Sequence, residues 1–153
     1  MNDTRELLAG KVRVRRLPVF AEGGPPTAVG PKRLLLSRGE LAQFYCSEQP
    51  VRTLTYLELL TGMTRGNHYH KVRDEFIYVL RGEIRLTCAD IVSQAGASVV
   101  LEAGDLVFME REVAHAFTTQ QDGHAIEFAA ALFDPADTYR YEVIGGPGPA
   151  ARL

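Results

Sequence analysis

Eleven short strand-like runs succeed one another along the chain: KVRVRR (11–16), KRLLL (32–36), AQFYC (42–46), TLTYLELL (53–60), EFIYVL (75–80), EIRLTC (83–88), ASVVL (97–101), LVFM (106–109), HAFTT (115–119), AIEFAAALF (125–133) and YRYEV (139–143). Turn signals separate them, among them Gly62, Gly66, Arg81-Gly82, Ala95-Gly96, Ala103-Gly104-Asp105 and Asp122-Gly123. Helical periodicity is confined to two places, residues 2–9 with Asn2 or Asp3 as a cap, and SRGELAQF at 37–44. Short strands at regular spacing, punctuated by glycine, predict an all-β sandwich or barrel with little helix.

Alternation assigns the faces. In TLTYLELL, Leu54, Tyr56 and Glu58 point one way and Thr55, Leu57 and Leu59 the other. In EIRLTC the apolar set is Ile84, Leu86 and Cys88, so Cys88 reads as a core thiol. The Gly/Pro-rich segment 21–32 is expected as a loop or arm, and GGPGPAARL as a mobile tail. A chain of 153 residues, 46% apolar and 24% charged, is expected to be one soluble domain over 1–153. Its net charge of −2, with no basic block, argues against nucleic acid as a partner. Two cysteines, Cys46 and Cys88, make no disulfide framework and no C-x-x-C pair. The N-terminus has no apolar run of a signal peptide, and no stretch approaches the ~18 residues of a membrane span, so the expected location is the cytoplasm.

Three of the four histidines converge on one pattern. His68 and His70, at i and i+2, share a face of a strand with roughly 6–7 Å between their backbones. Glu75 opens the next strand, and His115 begins another some 40 residues later. Two imidazoles and a carboxylate aimed at one point, with a third imidazole as fourth ligand, suit one divalent transition metal: zinc, iron, manganese, nickel or copper. His124, in QQDGHA, reads as an exposed loop histidine. There is no G-x-S-x-G elbow, phosphate-binding loop or strand-linked G-x-G-x-x-G.

Residues 62–82 match the first motif of the cupin superfamily, G(X)5HXH(X)3-4E(X)6G, at Gly62, His68, His70, Glu75 and Gly82. The second motif, G(X)5PXG(X)2H(X)3N, is met at Gly104 and His115, while Glu110, Glu112 and Thr119 stand where Pro, Gly and Asn are usual. The chain therefore resembles a cupin over about residues 50–135. This implies a double-stranded β-helix (jelly-roll) barrel with a metal held by His68, His70, Glu75 and His115, N-terminal strands and loop in 1–49, and a flexible tail at 144–153. The stretch RGNHYHK (65–71), with SRGELAQFY (37–45) upstream, is similar to sugar-nucleotide 3,5-epimerases, 3,4-ketoisomerases and a capsular-polysaccharide-synthesis cupin. That narrower resemblance implies carbohydrate biosynthesis, and in its metal-free isomerases a histidine at the position of His68 or His70 acts as base beside a keto group. A homodimer is expected from the resemblance and from N-terminal strands that need an edge to pair with.

Around the ligands, Arg65 and Lys71 are candidates for holding a phosphate or carboxylate of a small-molecule substrate. Tyr56 and Tyr78 are candidate catalytic phenols if their strands line the barrel. The polar, aromatic stretch FDPADTYRYE (133–142) either folds over the barrel mouth or serves a dimer contact. Three functions suit such a site: an isomerase or epimerase in which the metal is a Lewis acid and a Tyr or Glu moves the proton, an iron-dependent dioxygenase, and a non-catalytic binding or regulatory protein.

Overall fold

The computed structural model describes residues 4–23 and 29–144, which form twelve strands and two 3-10 turns. β2 (Val12–Arg16) pairs with β1 (Thr4–Leu7) on one side and β10 (Asp105–Met109) on the other. Beyond β10 lie β8 (Glu75–Asp90), β11 (Val113–Ala129), β7 (Thr64–Tyr69) and β12 (Tyr139–Arg140); β6 (Thr53–Leu59) joins β11, and β9 (Gly96–Glu102) joins β8. A separate three-stranded sheet holds β3 (Val19–Ala21), β4 (Lys32–Leu36) and β5 (Gly39–Gln43), with β3 parallel to β4.

Three of the turn signals do not reverse the chain: Gly66 lies inside β7, Arg81-Gly82 inside β8 and Asp122-Gly123 inside β11. EFIYVL and EIRLTC are one continuous strand, β8, and HAFTT and the start of AIEFAAALF are one strand, β11. The two run antiparallel along both halves, with register shifts between Thr119 and Gln121, Gln121 and His124, and His124 and Ala125. At this bend Gly82 takes φ +89°, and a Cβ on it would lie 2.6 Å from the Gln121 carbonyl oxygen. The glycine therefore permits a kink where two backbones cross, which is what an added-residue bulge requires. Bent in this way, β8 and β11 serve both layers of the barrel. Residues 75–80 and 124–129 lie with β10, β2 and β6, and residues 83–90 and 113–119 with β9 and β7. This is the double-stranded β-helix.

Between the layers, Val12, Val14, Ile77, Val79, Leu86, Leu101 and Val107 form a continuous core with Cys88. Burial pushes the Cys88 thiol up to about 11, consistent with a packing role. The outer face of the first layer is also covered. Tyr78, Phe128 and Leu106 pack beneath Phe44 and Tyr45, which follow β5, and the Phe44 and Tyr78 rings stack 4.5 Å apart.

Several local expectations are corrected. Thr4–Leu7 is a strand followed by a 3-10 turn at Leu8–Gly10, because Arg5 and Glu6 pair with Val14 and Arg13 of β2; the proposed caps Asn2 and Asp3 lie outside the described residues. Residues 39–43 are extended, since β5 is the return strand of a hairpin with β4. β10 of the same chain supplies the edge for β2, while β1 ends its sheet and β3 and β5 end theirs, so among the described residues edge strands remain at the N-terminal side. Residues 24–28 of the expected loop and 145–153 of the expected tail lie outside the described residues. Among the described residues, no helix is long and apolar enough to cross a membrane.

Candidate functional site

The histidine pair is aimed by a bulge. Gly66 (φ +100°) and Asn67 (φ +56°) are both left-handed, and the β7–β11 register shifts between His115 and Ala116. A Cβ on Gly66 would lie 2.6 Å from the His115 carbonyl oxygen, so only glycine lets β7 approach β11 this closely. His68 then faces His115 across the ladder. Asn67 secures the bulge: its Oδ1 accepts the Val143 and Ile144 N–H groups at 3.0 and 3.2 Å, and its carbonyl accepts that of Tyr141 at 2.8 Å.

The loop from His70 to Glu75 is shaped by Asp137, which lies in the 3-10 turn Pro135–Asp137. Its carboxylate accepts the backbone N–H groups of Lys71 (2.8 Å), Val72 and Arg73 (both 3.2 Å). Its carbonyl oxygen takes the Nδ1–H of His70. The stretch 133–142 thus docks on the histidine loop, with Tyr139 and Arg140 paired to Tyr69 and His68.

The result is a compact donor set. One ligand atom from each of His68, His70, Glu75 and His115 lies within 4.8 Å of every other. His70, Glu75 and His115 are buried, and His68 is half-buried. His70 Nε2 is 3.2 Å from Glu75 Oε1, and His115 Nε2 is 3.1 Å from Glu75 Oε2. The His115 Nδ1 lies 3.0 Å from the Val113 carbonyl oxygen, which fixes the proton on that nitrogen. In the neutral ring Nε2 then has a lone pair and no proton for Glu75, whose Oε2 is buried with no hydrogen-bond partner among the described residues. Burial works against a charged Glu75, but positive charge on the imidazoles beside it, His115 first at 3.1 Å, holds its carboxyl well below the usual range, so Oε2 is satisfied by a proton on His115 or by an ion in its place. Burial also opposes a charged His115, but its carboxylate neighbour holds it above its ordinary value. His68 is pushed down to about 4 by burial and by His115 and His70, so its ring is a neutral donor at physiological pH. Imidazoles tied back to carbonyl oxygens, a stranded carboxylate oxygen and a neutral third histidine fit a divalent ion.

His68 and His115 also line a cavity of about 240 Å³. Its walls are mainly apolar, including Leu57, Ile77 and Phe117, and it holds one carboxylate, Glu127. Burial, then the Glu75 charge, raise the Glu127 carboxyl above its ordinary value.

These residues lie on a recognisable frame: the family model for the cupin domain matches residues 55–130, about half of the chain. The chain is a cupin. Similar solved structures are a dTDP-6-deoxy-D-glucose-3,5-epimerase, RmlC, from Legionella pneumophila in complex with dTDP-4-keto-L-rhamnose (TM-score 0.72, 13% identity, covering 100% of this chain and 87% of that one) and the RmlC epimerase of Mycobacterium tuberculosis (0.70, 16%, 91% and 72%). A 3,4-ketoisomerase from Helicobacter canadensis aligns with TM-score 0.64 at 14% identity, over 72% of this chain and 86% of that one. At these identities the likeness is one of fold. No curated protein sequence matches significantly.

Against the cupin motifs, the structure gathers His68, His70, Glu75 and His115 and disperses the other candidates. Arg65 reaches the cavity wall, its guanidinium 3.1 Å from the Glu58 carbonyl oxygen. Lys71 instead lies over the Tyr139 ring at 4.4 Å. Tyr78 is in the covered outer layer, away from the cavity, because Glu75, Ile77 and Val79 hold the inward phase of β8. Tyr56 is on the solvent face of β6, bonded at 2.7 Å to His124, which is a half-buried strand residue and not a loop one. Where the second motif usually has Gly, Glu112 takes φ +63° and donates its N–H to the His70 carbonyl at 2.7 Å, so the loop before His115 keeps its turn.

Three residues escaped the sequence reading: Glu127, Arg73 and Asp137. Glu127 carried a signal, a lone charge flanked by Ala125 and Ala129 at period two. Arg73 and Asp137 carried none, since charged loop residues are ordinarily solvated.

Proposed function

We propose that this cupin is a metal-dependent isomerase or epimerase acting by proton transfer on a small hydroxy-carbonyl substrate. The observation that carries the reading is the single cavity in which Glu127 faces the same space as His68 and His115. A divalent ion held by His68, His70, Glu75 and His115 would supply Lewis acidity toward a carbonyl oxygen. Glu127 would take the proton from the carbon next to that carbonyl; isomerisation delivers it from Glu127 to the neighbouring carbon, and epimerisation takes a proton from water on the opposite face, so no oxidant or reductant is consumed. Because its carboxyl is raised, Glu127 sits nearer the pKa that proton transfer near neutrality favours.

Size narrows the substrate. A cavity of about 240 Å³ is below the ~300–1,000 Å³ usual for drug-sized ligands, so it takes a sugar ring or a molecule of that bulk. A nucleoside diphosphate attached to such a ring would extend past Arg65 at the wall, where a guanidinium suits a phosphate oxygen. The apolar walls favour a second reading, an iron-dependent dioxygenase for a compact apolar substrate.

The test is solvent exchange. With a 4-keto-6-deoxy sugar nucleotide in deuterium oxide, deuterium should enter the carbon beside the keto group without oxygen uptake. Glu127→Gln should slow this by about 10²–10⁴-fold. Since the base is the ionised form, kcat/KM should rise with pH as Glu127 loses its proton, and Glu127→Gln should remove that limb. Oxygen uptake without exchange would replace this reading by the dioxygenase, and neither by a non-catalytic binding role.

A further inference from the structure

Arg73 is buried, with 8% of its surface exposed, and it points into the donor set. Its Nη2 lies 2.8 Å from Glu75 Oε1 and 3.2 Å from His70 Nε2. His70 has committed its Nδ1–H to the Asp137 carbonyl oxygen, so the one lone pair of the neutral ring is on Nε2, and Arg73 takes it. A metal ion needs that same lone pair. The two cations also compete for the same carboxylate.

We propose that Arg73 is a built-in competitor of the metal, a resident guanidinium that must leave His70 before a divalent ion can be held, and that this residue sets the affinity of the site. The proposal rests on the metal reading above. Two further observations support a side chain able to leave. Its buried Nε has no partner among the described residues, so the inward pose leaves one donor unsatisfied. On its other side Arg73 lines a separate cleft of about 250 Å³ that carries Gln49 and the Asp74 carboxylate, one oxygen of which accepts the Arg111 N–H at 2.8 Å while the other is left for a second guanidinium. The Arg73 backbone stays in place meanwhile, because its N–H is held by Asp137. The exchange therefore needs only side-chain rotation. A resident cation also keeps the buried Glu75 paired when metal is scarce, and it disfavours ions that bind imidazole weakly.

The experiment is a titration of chelator-stripped, full-length protein with cobalt(II), followed by its visible spectrum, and with zinc(II) by calorimetry. Arg73→Met should bind both ions at least about tenfold more tightly than wild type. Arg73→Lys, which retains the charge, should stay nearer to wild type. Without metal, Arg73→Met should melt below wild type, and saturating zinc should raise its Tm by more than it raises that of wild type. Equal or weaker binding by Arg73→Met, beside a wild type that binds, would overturn the competitor while leaving the metal reading intact. Absence of binding by both proteins would overturn both. Arg73→Gln, with a shorter neutral side chain, takes the place of Arg73→Met under the same criteria if the latter does not fold.

Discussion

Glu112 occupies the left-handed region, φ +63°, beside a histidine loop that depends on its N–H. A non-glycine residue there costs about 1–2 kcal/mol, and glycine returns part of the difference through the flexibility of the unfolded chain, about 0.5–1 kcal/mol. Glu112→Gly should therefore stabilise the protein by up to about 1 kcal/mol, a rise in Tm of about 2–4 °C, with the loop unchanged. A lower Tm in a thermal melt would show that the Glu112 side chain contributes more than its backbone strain removes. At this scale the metal candidates were legible because imidazole and carboxylate at H-x-H and Glu spacing have few other uses together. Tyr56 and Tyr78 were not, because which phase of a strand faces inward depends on pairing: Glu75 fixes the phase of β8, and Tyr78 falls one residue out of it.

The element that organises the site is the segment 133–142, short and without a regular core of its own. Asp137 gathers the N–H groups of residues 71–73 and sets the tautomer of His70, so it acts on a bound ion through the loop and not by contact. Asp137→Ala should weaken zinc binding by roughly 10–100-fold, measured by calorimetry, while Asp137→Asn, which keeps one acceptor oxygen, should recover part of the loss. An unchanged affinity in Asp137→Ala would mean that β7 and β8 alone hold the loop. Sequence could show that this stretch was polar and turn-forming, but not where it docks, because the contact joins residues more than 60 positions apart. The same limit explains β8 and β11. Arg81-Gly82 and Asp122-Gly123 look like chain reversals locally, and only the crossing of two backbones makes them kinks.

For the molecule as a whole, the strands and their punctuation pointed to a sandwich or barrel and the cupin resemblance to the double-stranded β-helix, whose two-layer arrangement follows from two long strands bent at matching points. That bend is what lets His68, His70, Glu75 and His115 converge on one point while β6 and β11 close an apolar cavity beside it. The chemistry proposed depends on both parts: a donor set that demands positive charge, and one titratable carboxylate with access to the same space. Neither part alone distinguishes an enzyme from a ligand-binding barrel. The first of them is the more basic, because the roles of Glu127, Arg73 and Asp137 are all defined relative to it. Zinc titration of the stripped protein by calorimetry, with wild type beside Glu75→Gln and His115→Ala, tests it directly. One ion per chain in the wild type, with binding lost in both variants, is the predicted result; a wild type that takes up no ion, or variants that bind as well as it does, would contradict the account.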